Sequence, residues 1–391
     1  MAVKTNYTKG KWKYFRVSVV IGIDVNGKRI KKEFYGKSKG EAEKKRDEYL
    51  NGLNDGLKVD IDDVTLGVLM RIWLFEVKKV SDKLKPSSFE KYEGIFRIYV
   101  ENGPLNCIKI KNIKSIQIQR YYNQLYSKGK SKSIIHNLNK LMKQFFFYAV
   151  DEGYLTKNPC SGKRIVIPGE GAIKAEVEHF NDDEIKVLLD AIRDSSYKEF
   201  ITICLGTGMR RGEALALTWN DVDLDNNTID INKSLGKVYL FDSDGNKTRK
   251  QIIQSPKTTS SNREIPFPKS LNSVFKDIKI KQKRNKIRCG ECYQDSNYVF
   301  TTQIGTHIDV TNLSHAWDRI LKKAELPHKK FHALRHTYAT KLFENKVELK
   351  TASKLLGHSS IEMTADIYTH VIPKQKIDAV EKIDYLFQNT I

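Results

Sequence analysis

Four short segments in the second half of the chain carry arginines, imidazoles and hydroxyls at turns or helix starts, where such groups can bind an anion. The first segment, TGMRRGE at residues 207–213, has glycines that permit a close backbone approach, and Arg210 stands at the start of the helix that follows. A guanidinium can bond two oxygens of one phosphate, and Glu213 lies three residues on, where it can hold Arg210 in place. Taken alone, the segment fits a surface ion pair equally well.

The second segment, SPKTTSSNR at residues 255–263, is predicted to form a polar hairpin tip between QIIQ and the strand REIPFP. Lys257 lies on this tip and could reach an oxygen that leaves a reacting phosphorus. Loop lysines are usually solvated, and Lys247 and Lys250 are alternative candidates for the same role.

The third and fourth segments lie near the carboxyl end. In FHALRHTYAT, at residues 331–340, a spacing of three places His332 and Arg335 on one helical face. Gly357 is predicted to end the next helix, His358 stands at the turn, and Tyr368 follows ten residues later. A free tyrosine has a pKa near 10, so its oxygen is a poor nucleophile at neutral pH unless cations and a base surround it.

These segments belong to residues 181–391, where helices alternate with a block of short strands between about 220 and 268. Asn181 is placed to cap the first helix of this region. The preceding stretch, residues 161–180, contains Gly and Pro without a sustained period, which predicts an interdomain linker. We therefore expect an α+β domain that follows a hinge.

Residues 64–160 follow a helical period and predict an all-α bundle. The apolar face of its first helix should consist of Leu66, Leu69, Met70, Trp73, Leu74 and Val77. Three further helices are marked by Phe89, Tyr92, Phe96 and Tyr99, by Ile118, Tyr122 and Leu125, and by Ile134, Leu138, Leu141, Met142, Phe145, Phe146 and Val150. Lys130 and Lys132, on a connection between helices, could meet a phosphate backbone, although a single lysine is more often plain solvated charge.

Residues 1–60 predict a small basic sheet backed by one helix. The segment WKYFRVSVVIGI alternates with a period near two, Asn26 and Gly27 supply a turn, and KRIKKEFYG returns as a second strand. Such a sheet could press into a DNA groove, and a solvated basic hairpin is the alternative. The cations expected to contact DNA here are Lys11, Lys13, Arg16, Lys28 and Lys31.

The composition agrees with a polyanionic partner. The 391 residues suggest two or three domains, and 68 Lys and Arg against 47 Asp and Glu give a net charge of +21, which favours nucleic acid or an acidic membrane surface. No apolar run approaches the roughly 18 residues of a membrane span, and the first residues, MAVKTNYTKGKWKYF, do not show the apolar core expected of a signal peptide. The five cysteines do not look like a secreted disulfide framework, so we expect reduced thiols in the cytosol.

In its motifs the sequence resembles the tyrosine recombinase, or phage-integrase, family. The family's motifs are an arginine after Thr-Gly-x, a β-hairpin lysine, His-x-x-Arg, Leu-Gly-His and a terminal tyrosine, and all five occur here in order, over roughly residues 180–375. The resemblance implies a small β-sheet plus helix that binds arm-type DNA (1–60), an all-α, SAM-like core-binding bundle (64–160), the linker (161–180) and an α+β catalytic domain with a C-terminal tail (181–391). The domain order looks most similar to that of lambda-type integrases of conjugative transposons and temperate phages.

Carried over by position, the resemblance implies that Tyr368 attacks the scissile phosphodiester, giving a 3′-phosphotyrosine and a free 5′-hydroxyl. Lys257 would protonate the departing 5′-oxygen. Because the phosphotyrosine ester keeps the bond energy, a 5′-hydroxyl from another strand could attack it and reseal the DNA without ATP or a metal. We therefore expect no cofactor.

The other residues implied by the resemblance surround the phosphate. Arg210 and Arg335 would neutralise its non-bridging oxygens. His332 and His358 would orient it, and His332 is also a candidate to take the tyrosine proton. Glu213 matches the family's acidic helper.

The resemblance also implies partners and a task. The expected partners are double-stranded DNA carrying attachment sites or element ends, three further copies of the chain in a synaptic tetramer, and an excision accessory protein, with no membrane involved. The expected task, in the bacterial cytosol, is integration and excision of a conjugative transposon or prophage. The alternatives are a non-catalytic DNA-binding regulator and a topoisomerase IB-like strand-passage enzyme.

Three features lie outside this set. Cys289 and Cys292 have the spacing of half a zinc site or a redox pair, but no second pair lies nearby, and we expect no metal site. The extension at residues 236–253 could contact DNA or a subunit. The tail carries an apolar stripe that could dock on a neighbouring subunit or on its own domain, formed by Ile377, Val380, Ile383 and Leu386.

Overall fold

The computed structural model describes residues 7–9, 12–23, 29–54, 64–81, 84–169, 178–242, 246–255, 262–358, 360–362, 364–365 and 367. For residues 7–9, 12–13, 20–23, 29–31 and 48–54 it describes the backbone alone. The chain divides into two compact units, one of Met1–Ile173 with Tyr239–Thr248 and one of Lys174–Val238 with Arg249–Ile391.

The first unit begins with a three-stranded antiparallel sheet and a helix. Strands β1 (Tyr7–Lys9), β2 (Trp12–Ile23) and β3 (Arg29–Gly36) pair in the order β1-β2-β3. Helix α1 (Lys39–Asn54) starts after Ser38, whose hydroxyl accepts a hydrogen bond from the Glu41 amide at 3.1 Å. The two strands and the helix predicted for this region are confirmed, and the turn at residues 26–27 lies outside the described residues.

Four helices follow in the same unit, α2 (Leu66–Ile72), α3 (Pro86–Ile95), α4 (Ser115–Ser127) and α5 (Lys132–Asp151). Helices α2 and α3 continue into the π-helical turns Trp73–Lys78 and Phe96–Glu101. Helix α5 begins at the cap Ser131, and the ring of Trp73 meets that of Phe145 edge-on, with centroids 5.6 Å apart. The residues that α5 buries are Ile135, Leu138, Leu141, Met142, Phe145, Phe146 and Ala149, so the predicted bundle is confirmed.

The prediction that Val77 belongs to the apolar face of α2 is wrong. Val77 is 45% exposed. Hydrogen bonds in a π turn reach one residue further than in an α-helix, so the period changes within the turn. Leu74 is still buried, but Val77 lies off the stripe that a period of 3.6 predicts.

The second unit contains seven helices among its described residues, α6 (Asp182–Ala191), α7 (Lys198–Thr207), α8 (Arg211–Ala216), α9 (Leu271–Cys289), α10 (Val310–Lys323), α11 (Ala333–Glu344) and α12 (Leu349–Leu356). Asn181 caps α6 as predicted, because its side chain accepts from the Glu184 amide at 2.8 Å and the Glu184 carboxylate accepts from the Asn181 amide at 2.9 Å. The core between α7 and α11 is aromatic, and Phe200 packs on Phe300 and Phe331.

The predicted block of strands is confirmed as β4 (Val222–Asp223), β5 (Thr228–Ile231), β6 (Ser234–Phe241), β7 (Lys247–Gln254) and β8 (Arg263–Pro266). They form a sheet of order β4-β5-β8 and a separate ladder β6-β7. The prediction that residues 255–263 form the tip of a hairpin is therefore wrong. The flanking strands pair with β6 and with β5, so the segment that carries Lys257 connects two sheets.

The turn end of the β6-β7 ladder, Tyr239–Thr248, belongs to the first unit. Phe241 meets the rings of Phe75 and Phe89 edge-on, with centroids 6.3 and 5.3 Å away. Lys79 also donates to the Asp242 carbonyl at 2.9 Å. The bundle thus covers Phe241, and a DNA or subunit contact by the rest of the extension stays a prediction.

In the part of the chain that the structure describes, no helix is long and apolar enough to span a membrane.

Candidate active site

The site begins at the turn between α7 and α8. Gly208 ends α7 in the left-handed region at φ 64°, and a side chain there would lie 2.3 Å from the ring of Tyr338. This turn places Arg210 at the cap position of α8, with its side chain 35% exposed. Arg210 is thus held by backbone geometry at the surface of the unit.

Glu213 is buried one turn into α8 and faces two arginines. Its carboxylate accepts from Arg210 Nη1 at 2.7 Å and from the Arg210 amide at 2.9 Å, as the spacing of three predicts. Arg263, at the start of β8, donates to it through Nη1 and Nη2 at 3.2 and 3.0 Å. Burial alone would raise the pKa of this carboxyl, but the hydrogen bonds and charges of the two arginines outweigh burial and hold the pKa below its ordinary value.

Arg335 lies in the first turn of α11 and is only 2% exposed. It donates to the Gly208 carbonyl at 2.9 Å and to the Leu356 carbonyl. Burial, with the positive charge of Arg210, lowers the pKa of Arg335 to about 9, so it is still charged at neutral pH. The two bonds orient one edge of the guanidinium against the backbone.

His332 caps the start of α11, and its ring lies 4.7 Å from the ring of His336. His332 is exposed by surface area, but desolvation within the site, together with the neighbouring His336 and the charges of Arg335 and Arg210, lowers its pKa to about 4. The imidazole is therefore neutral at neutral pH, with one nitrogen able to accept a proton.

His358 follows the end of α12. Gly357 ends that helix in the left-handed region at φ 63°, as predicted, and the Nδ1 atom of His358 lies 2.8 Å from the Thr364 hydroxyl. Burial, followed by the charges of Arg335 and Arg210, lowers the pKa of His358 to about 3. The bond to Thr364 fixes the ring and leaves Nε2 for an anion.

The structure thus brings together five of the seven predicted site residues, Arg210, Glu213, His332, Arg335 and His358. Lys257 and Tyr368 lie outside the described residues. Ile367, the neighbour of Tyr368, is 5% exposed in a cluster with Phe343 and Leu356, so α11 and α12 anchor the chain just before the tyrosine. Of the competing lysines, Lys247 lies over the ring of Tyr239, and Lys250 is exposed on β7.

Sequence reasoning missed Arg263. It lies at the end of the second segment, where the motif spacing predicts no role for it, but its side chain is 6% exposed and forms an ion pair with Glu213. A signal was present, because alternation along the strand REIP places residue 263 on the same face as the buried Ile265. A cation on the buried face of a strand requires a partner.

The cations predicted to contact DNA lie in the first unit. Arg16 pairs with Glu33 at 3.1 Å across β2 and β3. Lys130 and Lys132 are exposed on either side of the α5 cap. The backbones of Lys13 and Lys31 lie in β2 and β3, while Lys11 and Lys28 lie outside the described residues.

Within the described ranges, no group of three or more His, Cys, Asp or Glu side chains is placed to hold a metal ion. Cys289 ends α9, and Cys292 is exposed in the turn after it. The apolar stripe of the tail falls outside the described residues.

Two family models match the chain. That of the phage integrase family matches residues 178–375, and that of the phage integrase N-terminal SAM-like domain matches residues 65–126. A tyrosine recombinase XerC-like protein of Caldanaerobacter subterraneus subsp. tengcongensis is 52% identical over 99% of this chain and 100% of its own length.

Two solved structures share the fold. The Tn1549 transposon integrase in complex with transposon right end DNA is 23% identical, with a TM-score of 0.65 over 81% of this chain and 99% of that one. A lambda integrase tetramer bound to a Holliday junction is 19% identical, with a TM-score of 0.52 over 88% of this chain and 90% of that one. Identities this low establish a common fold and nothing finer.

Proposed function

This chain belongs to the phage integrase family of tyrosine recombinases, and from this membership we propose how its residues break and rejoin DNA. It is a site-specific recombinase of integration and excision. In the proposed mechanism, Tyr368 is the nucleophile and Lys257 the general acid. The phosphate is held by Arg210, His332, Arg335 and His358, with Glu213 in support.

The observation that supports this proposal best is the charge of the site. Arg210, Arg263 and Arg335 face the single carboxylate of Glu213, which leaves a local excess of positive charge. The same excess helps to keep His332 and His358 neutral, because a proton on either ring would add a further positive charge. A phosphodiester anion supplies the missing negative charge, and the exposed part of Arg210 can reach it.

The first chemical step forms a bond between the Tyr368 phenolic oxygen and phosphorus and breaks the bond between phosphorus and the 5′-oxygen. The phenolic proton passes to the neutral imidazole of His332, whose pKa rises once the bound phosphate offsets the arginines. Lys257 gives a proton to the departing 5′-oxygen. Arg210, Arg335 and His358 stabilise the charge that develops on the non-bridging oxygens.

The second step reverses the first with a different strand. A 5′-hydroxyl from the partner duplex attacks phosphorus, and the Tyr368 oxygen leaves and recovers its proton. Since each ester formed replaces an ester broken, the proposed reaction needs neither ATP nor a metal ion.

We propose the following partners on the same basis. The substrate is double-stranded DNA at the ends or attachment sites of a conjugative transposon or prophage, in a bacterial cytosol. Four copies of the chain act together, and an accessory protein favours excision. Residues 1–60 bind arm-type DNA, and residues 64–160 bind core-type DNA, each through the cations described above. Residues 161–180 link these two DNA-binding domains to the catalytic domain at residues 181–391.

A plasmid assay tests the proposed site. Purified protein is mixed with supercoiled DNA that carries the joined element ends, with EDTA present and ATP absent, and strand cleavage is mapped on a sequencing gel. Wild-type protein should cleave at fixed positions. Arg335→Lys replaces two separate Nη donors and a planar fork by one ammonium group, so its cleavage rate should fall by about 10²- to 10³-fold, as for loss of a fixed donor to a developing charge.

The matched control is Arg193→Lys, an exposed arginine paired with Asp190, which should cleave like wild type. Equal rates for Arg335→Lys and wild type would contradict the assignment of Arg335. Wild-type protein that binds the ends and never cuts them would indicate a DNA-binding regulator instead.

A further inference from the structure

Three arginines from separate segments bind three consecutive carbonyls at the end of α12. Arg263 Nε donates to the Leu355 carbonyl at 2.8 Å, and Arg335 Nη2 donates to the Leu356 carbonyl. Arg210 Nη2 donates to the Gly357 carbonyl at 3.0 Å. The next residue is His358, so the helix end fixes the spacing of all three guanidinium groups beside that imidazole.

The end of a helix is suited to this task. Its last carbonyls lack partners within the helix and carry the negative end of the helix dipole, so cations bind there favourably. Gly357 is required because its φ is 63° and because a Cβ atom would lie 2.8 Å from the Arg263 Cδ atom. The side chain of Arg263 thus packs flat against the turn that precedes His358.

Arg263 differs from Arg210 and Arg335 in how many of its guanidinium nitrogens already bind protein groups. All three guanidinium nitrogens of Arg263 donate to protein acceptors, Nε to the Leu355 carbonyl and Nη1 and Nη2 to the two carboxylate oxygens of Glu213. The bonds that Arg210 and Arg335 make to Glu213 and to the backbone use their Nη1 and Nη2 atoms. Arg263 is therefore placed to act on other protein groups and not on a phosphate.

We propose that Arg263 is a positioning residue of the recombinase, which holds Glu213 and through it Arg210 against the carboxyl end of α12. The inference rests on the function proposed above. Arg263 also starts β8, and Lys257 precedes it by six residues in the sequence. Loss of Arg263 should slow DNA cleavage while DNA binding persists.

The proposal predicts a distinctive pH dependence. Arg263 helps to keep Glu213 ionised despite burial, so Arg263→Gln should raise the pKa of that carboxyl. A protonated Glu213 carries no charge and no longer attracts Arg210. As the pH is lowered, the cleavage rate of the variant should therefore begin to fall at a higher pH than the cleavage rate of wild type does. The other groups that face Glu213 are Arg210, Arg335, His332 and Cys204.

The experiment measures single-turnover cleavage of a nicked duplex over a range of pH for wild type, Arg263→Gln, Arg263→Lys, Glu213→Gln and the double variant Arg263→Gln/Glu213→Gln. Arg263→Gln should cleave about 10- to 100-fold more slowly, as when a residue that orients a functional side chain is lost. Arg263→Lys should recover part of the rate. The double variant should be little slower than Glu213→Gln alone, because the two residues act as one unit.

Arg193→Gln is the control for removal of a charge and should behave as wild type. Thermal unfolding and DNA affinity of each variant separate positioning from misfolding, and Arg263→Lys carries the pH test if Arg263→Gln unfolds. The inference is wrong if the cleavage rate of Arg263→Gln falls at the same pH as that of wild type. It is also wrong if the rate loss of the double variant equals the product of the losses of the two single variants. Failure of wild-type protein to cleave would instead contradict the proposed function.

Discussion

At the scale of single residues, positive charge controls protonation in the site. Two imidazoles that would ordinarily titrate near pH 6.5 are kept neutral by burial and by the arginines, and their pKa values fall to about 4 for His332 and about 3 for His358. Arg335, whose pKa is lowered by burial to about 9, is still charged at neutral pH. A neutral imidazole beside cations can accept a proton from a phenol once an anion is bound.

This protonation state gives a testable stability effect. The folded pKa of His332, about 4, lies below the unfolded value near 6.5, so the unfolded chain binds the extra proton first and stability falls as the pH drops from about 6.5 to about 4. His332→Gln cannot titrate, so its free energy of unfolding should fall less over this range. Denaturant titrations at stepped pH measure the difference.

Identical pH slopes for His332→Gln and wild type would show that the folded protein does not hold this imidazole neutral.

Sequence reasoning succeeded where a contact is local. The Arg210–Glu213 ion pair was predictable because a spacing of three fixes two side chains on one helical face. The Arg263–Glu213 pair was not predictable from spacing, since fifty residues and several strands separate its members. Only the fold brings such partners together, and the pairing of β8 with β5 is what places Arg263 there.

At the scale of elements, the carboxyl end of α12 positions more of the site residues than any other helix end described above. Three arginines bind its last carbonyls, and the chain must then turn sharply to present His358. The sequence indicated this stop through Gly357, but the docking of arginines on the carbonyls leaves no pattern in the sequence. Likewise, the 3.6-residue period located α2 correctly yet misplaced Val77, because a π turn obeys a different period.

Gly357→Ala tests the helix end. Alanine at φ 63° costs on the order of 1 kcal/mol, and its Cβ atom would displace Arg263. We expect both a lower free energy of unfolding and slower DNA cleavage than for the control Gly153→Ala, which has a φ of 78° and no neighbour within 4 Å of the added carbon. If the two alanine variants cleave DNA at the same rate, contact between Gly357 and Arg263 is not needed for activity.

At the scale of the whole molecule, the net charge of +21 agrees with a DNA substrate, and its effect should appear as a steep salt dependence. Lys130 and Lys132 are exposed next to the α5 cap, where each could neutralise one phosphate. Lys130→Ala/Lys132→Ala should therefore reduce the slope of log K against log salt by about 2 in magnitude, measured by fluorescence anisotropy on core-site DNA.

Lys186→Ala removes a lysine that already pairs with Asp183, so its slope should match that of wild type. An unchanged slope for the double variant would remove these two lysines from the DNA interface. A flat response of the wild-type protein would argue against phosphate contacts as the main source of affinity.

The most direct test of the account is to trap the covalent intermediate. On a nicked duplex whose cleaved end diffuses away, wild-type protein should accumulate an adduct that survives denaturation, and mass spectrometry of its peptides should place the DNA on Tyr368. Tyr368→Phe should bind the same duplex and yield no adduct. Cleavage without an adduct, or an adduct on another phenol such as Tyr338 beside Gly208, would contradict the account.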